Sequence, residues 1–228
     1  LDAACDAARV GVTTAELDQV AEDVIRAHGA TPEFKGYQDF PAATCISVGD
    51  EVVHGIPGPR VLKDGDLVSL DVGARLNGYV GDNARTVMVG EGTDVALRVN
   101  ETAQECLRRA IRCCRPGARL SDLGRAIQTY AESQRFNVVK DYAGHGIGAR
   151  MHEEPQVHNY VDESTLSRDV VLEPGMCLAI EPMVIQGGPG VRVLADQWTV
   201  VTADGSVAAH WEDVVAVMQD GPRILTRP

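Results

Sequence analysis

Two stretches of the chain, Leu62-Lys63-Asp64-Gly65 running on to Asp71 and Leu172-Glu173-Pro174-Gly175 running on to Glu181, align without a gap. Each passes from a Gly-containing turn into an apolar strand that closes on a carboxylate. A shorter match accompanies them: Arg9-x-Gly11 with Glu16-Leu17 returns as Arg115-x-Gly117 with Asp122-Leu123. A third pairs Asp82 with Glu212, each followed five residues later by Val-Met, at Val87-Met88 and Val217-Met218. The offset grows along the chain, as insertions in loops produce. A chain built this way is expected to fold as two related α+β halves, residues 1–115 and 116–228, within one domain spanning 1–228. Each half gives one pair of carboxylates to a shared interface.

Local rules fix the geometry of the first pair. Asn77-Gly78 between extended segments predicts a two-residue hairpin, which sets Gly73 opposite Asp82 and Asp71 opposite Ala84. Side chains alternate with period two and cross-strand partners share a face, so Asp71 and Asp82 become diagonal neighbours on one face. Taken singly, an Asp or Glu near a strand end is most often a solvated turn residue. Four carboxylates converging on one interface are different: they repel one another and raise each other's pKa unless cations are present. The helical periodicity is equally local. Thr13-Thr14-Ala15-Glu16 reads as a capping box before a helix over 13–28, a second helix is expected over 95–114, and Ser121 is expected to cap a third that ends near 135. The first nine residues read as the tail of a helix, as if a leader preceded them.

The segment Gly144-His145-Gly146-Ile147-Gly148 offers a nitrogen ligand between glycines that let backbone and ligand approach closely. His152 follows before Glu153-Glu154-Pro155, and His54 sits in the loop His54-Gly55-Ile56-Pro57 ahead of the Asp71 strand. His28, His158 and His210 lack such context and are assigned to surface or packing. The six cysteines have neither Cys-x-x-Cys spacing nor the density of a disulfide scaffold, which suits reduced thiols in a cytoplasmic protein. No run of residues has the length and apolarity of a membrane span, and a net charge of −12 speaks against direct nucleic-acid binding.

Together Asp71-x10-Asp82, Gly144-His145-Gly146-Ile147-Gly148, Ile180-Glu181-Pro182-Met183 and Trp211-Glu212 occur in the order found in the methionine aminopeptidases, and the chain resembles the type I members of that family over nearly its whole length. The resemblance implies the pita-bread fold, two pseudosymmetric α+β halves around a dinuclear site. It makes Asp71, Asp82, His145, Glu181 and Glu212 the metal ligands, with Asp82 and Glu212 bridging two divalent ions, Co, Mn, Fe or Zn. Two close cations lower the pKa of a shared water, and Glu181 would accept its proton. His54 and His152 match the family's non-ligand histidines, which hydrogen-bond substrate and tetrahedral intermediate. The methionine pocket would be lined by Phe34, Tyr37, Phe40, Cys45, Met151 and Trp198, apolar groups that also suit a thioether. The implied activity is removal of the initiator methionine from nascent chains, by a monomer that could associate with the ribosome. The family commonly continues its last ligand as Glu-His-Thr, whereas this chain has Glu212-Asp213-Val214; alternation turns Asp213 away from the site and Val214 toward it. Two other readings stand beside this one. An aminopeptidase P or prolidase relative would share the ligand set, and a non-catalytic pita-bread binding module would share only the fold.

Overall fold

The computed structural model describes residues 1–227. The local signals at 77–78 act as expected. Asn77 and Gly78 both take positive φ, 52° and 86°, so the turn matches the twist of its strands. The strands Leu67–Leu76 and Tyr79–Met88 pair antiparallel with Gly73 opposite Asp82 and Asp71 opposite Ala84. On its other edge Leu67–Leu76 pairs with Thr44–Val48 and, near its end, with Thr31–Pro32. Five strands form the corresponding sheet of the second half, in the order Gly221–Ile224, Asp213–Met218, Cys177–Ile180, Gly144–Gly146, Glu153–Val157. The two sheets meet through one antiparallel bridge, Ala84 to Glu212, with the Glu212 N–H donating to the Ala84 carbonyl at 3.0 Å. Two three-stranded sheets complete the layer; one of them pairs Glu51–Val53 with Val200–Thr202 from the other half.

Helices cover the outer faces. α1 spans Asp2–Ala7 and α2 spans Thr14–Ala27, and the Thr13 capping box forms: Thr13 Oγ1 accepts from Glu16 N at 3.2 Å while Glu16 Oε2 accepts from Thr13 N at 2.7 Å. α2 buries Leu17, Ala21 and Ile25 against Ile46, Val48, Val68, Leu70 and Val72 of the first sheet. α3 (Asp94–Cys113) and α4 (Leu120–Ser133) pack on the second sheet, where Val99, Leu107, Leu123 and Ile127 meet Leu178, Ile180, Val215 and Val217. Each such side chain, withdrawn fully from water, favours folding by about 1.5–3 kcal/mol. α3 thus serves the core of the second half although it precedes residue 116. The short α5 (Glu163–Leu166) lies at the periphery.

Ser121 does not cap α4. The helix begins at Leu120 with Arg119 before it, and Asp122 reaches back to accept from Arg119 N at 2.8 Å. Ser121 instead donates through its backbone N–H and its hydroxyl to Asp169, at 3.0 and 2.7 Å. A long-range carboxylate outcompetes the local cap, a choice that no local pattern reveals.

Candidate active site

The two central strand pairs deliver their carboxylates to one place. Asp71 and Asp82 come from the first sheet, Glu181 follows the end of Cys177–Ile180, and Glu212 precedes Asp213–Met218. Asp213 pairs with Ile180, so Glu181 and Glu212 emerge side by side from neighbouring strands as Asp71 and Asp82 do. His145 lies on the short strand Gly144–Gly146, squeezed between Cys177–Ile180 and Glu153–Val157. A Cβ at Gly144 would overlap the Ala179 carbonyl, and one at Gly146 the Glu154 carbonyl. The two glycines therefore let three strands close around the imidazole.

These five residues line a cavity of about 210 Å³ together with Phe34, Tyr37, Gln38, Phe40, Cys45, His54, Met151, His152 and Trp198. The structure thus gathers every residue singled out from the sequence and adds Gln38. Carboxylates and His145 form the polar end. Phe34, Phe40, Cys45, Met151 and Val214 pack as an apolar cluster with Tyr37 and Trp198 beside it, and Phe40 meets the Trp198 ring edge-on at 5.0 Å. Val214 therefore does share the inward face with Glu212, as alternation implied, while the Asp213 side chain points away into buried structure.

The electrostatics of the polar end call for positive charge. Asp71 Oδ1, Asp82 Oδ1 and Glu212 Oε1 are buried without a hydrogen-bond partner. Burial, then the neighbouring carboxylates, pushes Asp71 and Glu212 far above the usual carboxylate range. Burial raises Asp82 and Glu181 to about 7. Ligand atoms of Asp82, His145 and Glu212 lie within 4.8 Å of one another. The His145 Nδ1–H donates to the Gly146 carbonyl at 2.9 Å, so the Nε2 lone pair is free on the side facing Glu181 Oε1, 3.8 Å away. Orphaned anionic oxygens around an imidazole with one free lone pair are a donor set that fits divalent cations, and the absence of thiolate suits a catalytic site over a structural one.

His152 and His54 stand on the cavity wall. The His152 ring lies 4.4 Å from that of His145, and its Nδ1 is 2.7 Å from the Tyr37 hydroxyl. His54 takes a left-handed φ of 60° and packs edge-on to Tyr142 and Trp198. Burial lowers the pKa of both, His54 to about 4, so both rings are neutral at pH 7.

His210, which the sequence reads as surface or packing, stands beside Glu181. It is buried, and its Nε2 lies 3.6 Å from Glu181 Oε2. Strand parity carried the signal, because His210 stands two residues before Glu212 and so faces the same way. Asn159, whose amide donates to the Glu181 carbonyl at 3.0 Å, left no signal in the sequence. His28 is exposed, and His158 meets the Tyr160 ring edge-on, away from the cavity.

Residues 1–219 match the model of metallopeptidase family M24. The methionine aminopeptidase 1 of Bacillus subtilis is 50% identical over 217 residues, covering 95% of this chain and 86% of its own. The crystal structure of methionine aminopeptidase from Rickettsia prowazekii superposes with a TM-score of 0.95 at 37% identity, over 99% of this chain and 90% of that one. The prolidase from Pyrococcus furiosus is more distant: TM-score 0.77, 25% identity, and only 59% of its chain matched. The chain belongs to metallopeptidase family M24, among the methionine aminopeptidases. It has the pita-bread fold and is a metal-dependent exopeptidase, and among the described residues no helix is long and apolar enough to cross a membrane.

Proposed function

We propose that the enzyme cleaves the first peptide bond of chains that begin with a free methionine, using two divalent cations held by Asp71, Asp82, His145, Glu181 and Glu212. The observation that carries this reading is the single cavity in which those five donors face an apolar wall of Phe34, Phe40, Cys45, Met151 and Trp198. An unbranched thioether fits that wall, and the α-amino group then lies at the carboxylate end. Bound there, divalent cations, whether Mn, Co, Fe or Zn, supply Lewis acidity that polarises the scissile carbonyl and makes water nucleophilic at neutral pH.

This chain's residues do the rest. Glu181, whose carboxylate lies between the His145 and His210 rings, takes the proton of the attacking water. The Tyr37 hydroxyl and His152 Nδ1 are 2.7 Å apart; with the hydroxyl as donor, the neutral ring's proton sits on Nε2, where it can donate to the developing oxyanion. His54, neutral as well, donates to the substrate amide. Trp198 and Phe40 close the pocket against water. Residues 1–228 act as one catalytic domain because the donors come from both halves. The cysteines are unpaired, which fits a reducing cytoplasm; nascent chains are the natural substrates there, presented to a monomer that could associate with the ribosome.

The test is release of free methionine from Met-Ala-Ser, with turnover falling as the second residue grows from Gly, Ala or Ser to Leu or Lys. Equal turnover across that series, or a requirement for Pro in second place, overturns the reading in favour of an Xaa-Pro peptidase. No cleavage at any divalent cation leaves a binding module.

A further inference from the structure

Three residues beyond Asp82, Arg85 leaves the opposite face of its strand and grips Trp211-Glu212-Asp213 from the other half. Its guanidinium lies 5.1 Å from the centroid of the Trp211 ring. Nη1 donates to the backbone carbonyl of Glu212 at 2.5 Å and to that of Ala84 at 2.7 Å, and Nη2 donates to Asp213 Oδ1 at 2.6 Å. Asp213 is fully buried and accepts further hydrogen bonds from Thr226 Oγ1 at 2.9 Å and Arg227 Nη2 at 2.5 Å. Trp211 is fixed in turn by its indole N–H, which donates to Asn100 Oδ1 at 2.7 Å.

The backbone link here is slender. Ala84 and Glu212 form an isolated bridge whose second hydrogen bond, Ala84 N–H to Glu212 carbonyl, spans 3.4 Å. One guanidinium, by contrast, touches all three residues centred on Glu212 and springs from the strand that carries Asp82. We propose that Arg85, anchored by Asp213, is the positioning residue that sets Glu212 against Asp82 and thereby the affinity for divalent cations. This rests on the reading of Asp82 and Glu212 as ligands. It also gives a role to Asp213: the buried carboxylate balances Arg85 and Arg227. A planar fork is required, because a lysine ammonium reaches Asp213 or the Glu212 carbonyl without the fixed geometry that joins both to the Trp211 face.

A purely structural ion pair behaves differently from a positioning one. Removing one member of a buried pair strands the other charge, whereas replacing both by apolar groups of similar size can restore stability. Arg85→Met, Asp213→Leu, the double variant, Arg85→Lys and Glu212→Gln are therefore compared by calorimetric titration with Mn²⁺, thermal unfolding, and kcat and KM on Met-Ala-Ser. Each single change at 85 or 213 is expected to weaken Mn²⁺ binding about 10–100-fold, the usual effect of losing a group that orients a ligand. The double variant should recover most of the thermal stability and still bind Mn²⁺ weakly, with kcat lowered and KM little changed. Arg85→Lys keeps the buried charge paired, so it reports on affinity even where the other single variants do not fold. Wild-type Mn²⁺ affinity in the double variant or in Arg85→Lys overturns the proposal. Wild-type affinity in Glu212→Gln overturns the ligand reading and this proposal with it; loss there, with none in the Arg85 variants, overturns the positioning role alone.

Discussion

Tyr37→Phe removes one oxygen atom from the cavity wall and isolates a single step of the mechanism. The Tyr37 hydroxyl and His152 Nδ1 are 2.7 Å apart, and the two rings lie 5.4 Å apart at 50°, a contact that phenylalanine retains. Tyr37 is only half-buried, in the short 3-10 helix Tyr37–Asp39, and phenylalanine keeps its ring in place, so the change should leave the thermal midpoint almost unchanged. What changes is the histidine. A neutral hydrogen bond of this kind is worth about 0.5–1.5 kcal/mol net, and that is the preference for the Nε2–H tautomer and ring orientation that disappears. At about 1.4 kcal/mol per tenfold in rate, kcat should fall roughly 2–12-fold. That is well short of the ~10²–10³-fold expected when the donor itself is deleted in His152→Ala. Bound metal should match the wild type. Steady-state release of methionine from Met-Ala-Ser, measured beside plasma-emission metal analysis, decides the matter. A loss as large as that of His152→Ala, or a loss of metal, contradicts the assigned role; so does full activity in Tyr37→Phe when His152→Ala is impaired.

Three further outcomes follow from the same geometry. His145→Ala should lose both metal and turnover, whereas His54→Ala should keep its metal and lose turnover; plasma emission and kinetics on the two variants side by side would reveal a reversal. In chelator-treated protein the carboxylates of the site carry raised folded pKa values, about 7 for Asp82 and Glu181 against 3.8 and 4.5 for the free groups, so the native state binds more protons than the unfolded one. Stability should therefore fall as pH rises from about 4 through 7, and saturating Mn²⁺ should flatten that slope; denaturant midpoints that rise with pH in the chelated protein would contradict the sign. Leu107→Ala, at a fully buried position of α3 remote from the cavity, should destabilise by about 2–5 kcal/mol in chemical denaturation while leaving KM at 20 °C unchanged, and an altered KM would show that the α3 core reaches the pocket.

What the sequence could reveal was decided by the range of the interaction. The diagonal placement of Asp71 and Asp82 followed from Asn77-Gly78 and strand alternation, because a two-residue turn fixes register without help from the rest of the chain. The inward Val214 and the outward Asp213 followed from the same parity. The repeat of the strands ending at Asp71 and Glu181 made a two-halved fold legible, and the family resemblance gave the ligand set that the structure collects around one cavity. Contacts across the halves were hidden. The pairing of Ala84 with Glu212 sets what Arg85 touches, and nothing within either strand encodes that register. Asp169 taking the Ser121 hydroxyl is of the same kind. His210 was within reach of the parity rule applied backwards from Glu212, yet a lone histidine on an apolar strand also reads as core. Gln38 lines the cavity from a left-handed φ of 46°, a conformation with no signature in the residue itself.

Crystals of the enzyme soaked in Mn²⁺ and measured at the manganese absorption edge test the central claim most directly. The account predicts two anomalous peaks in the cavity, with Asp71, Asp82, His145, Glu181 and Glu212 as the protein groups that contact them. A single peak, or peaks that leave Glu212 or Asp82 without contact, would contradict the dinuclear site and the chemistry built on it.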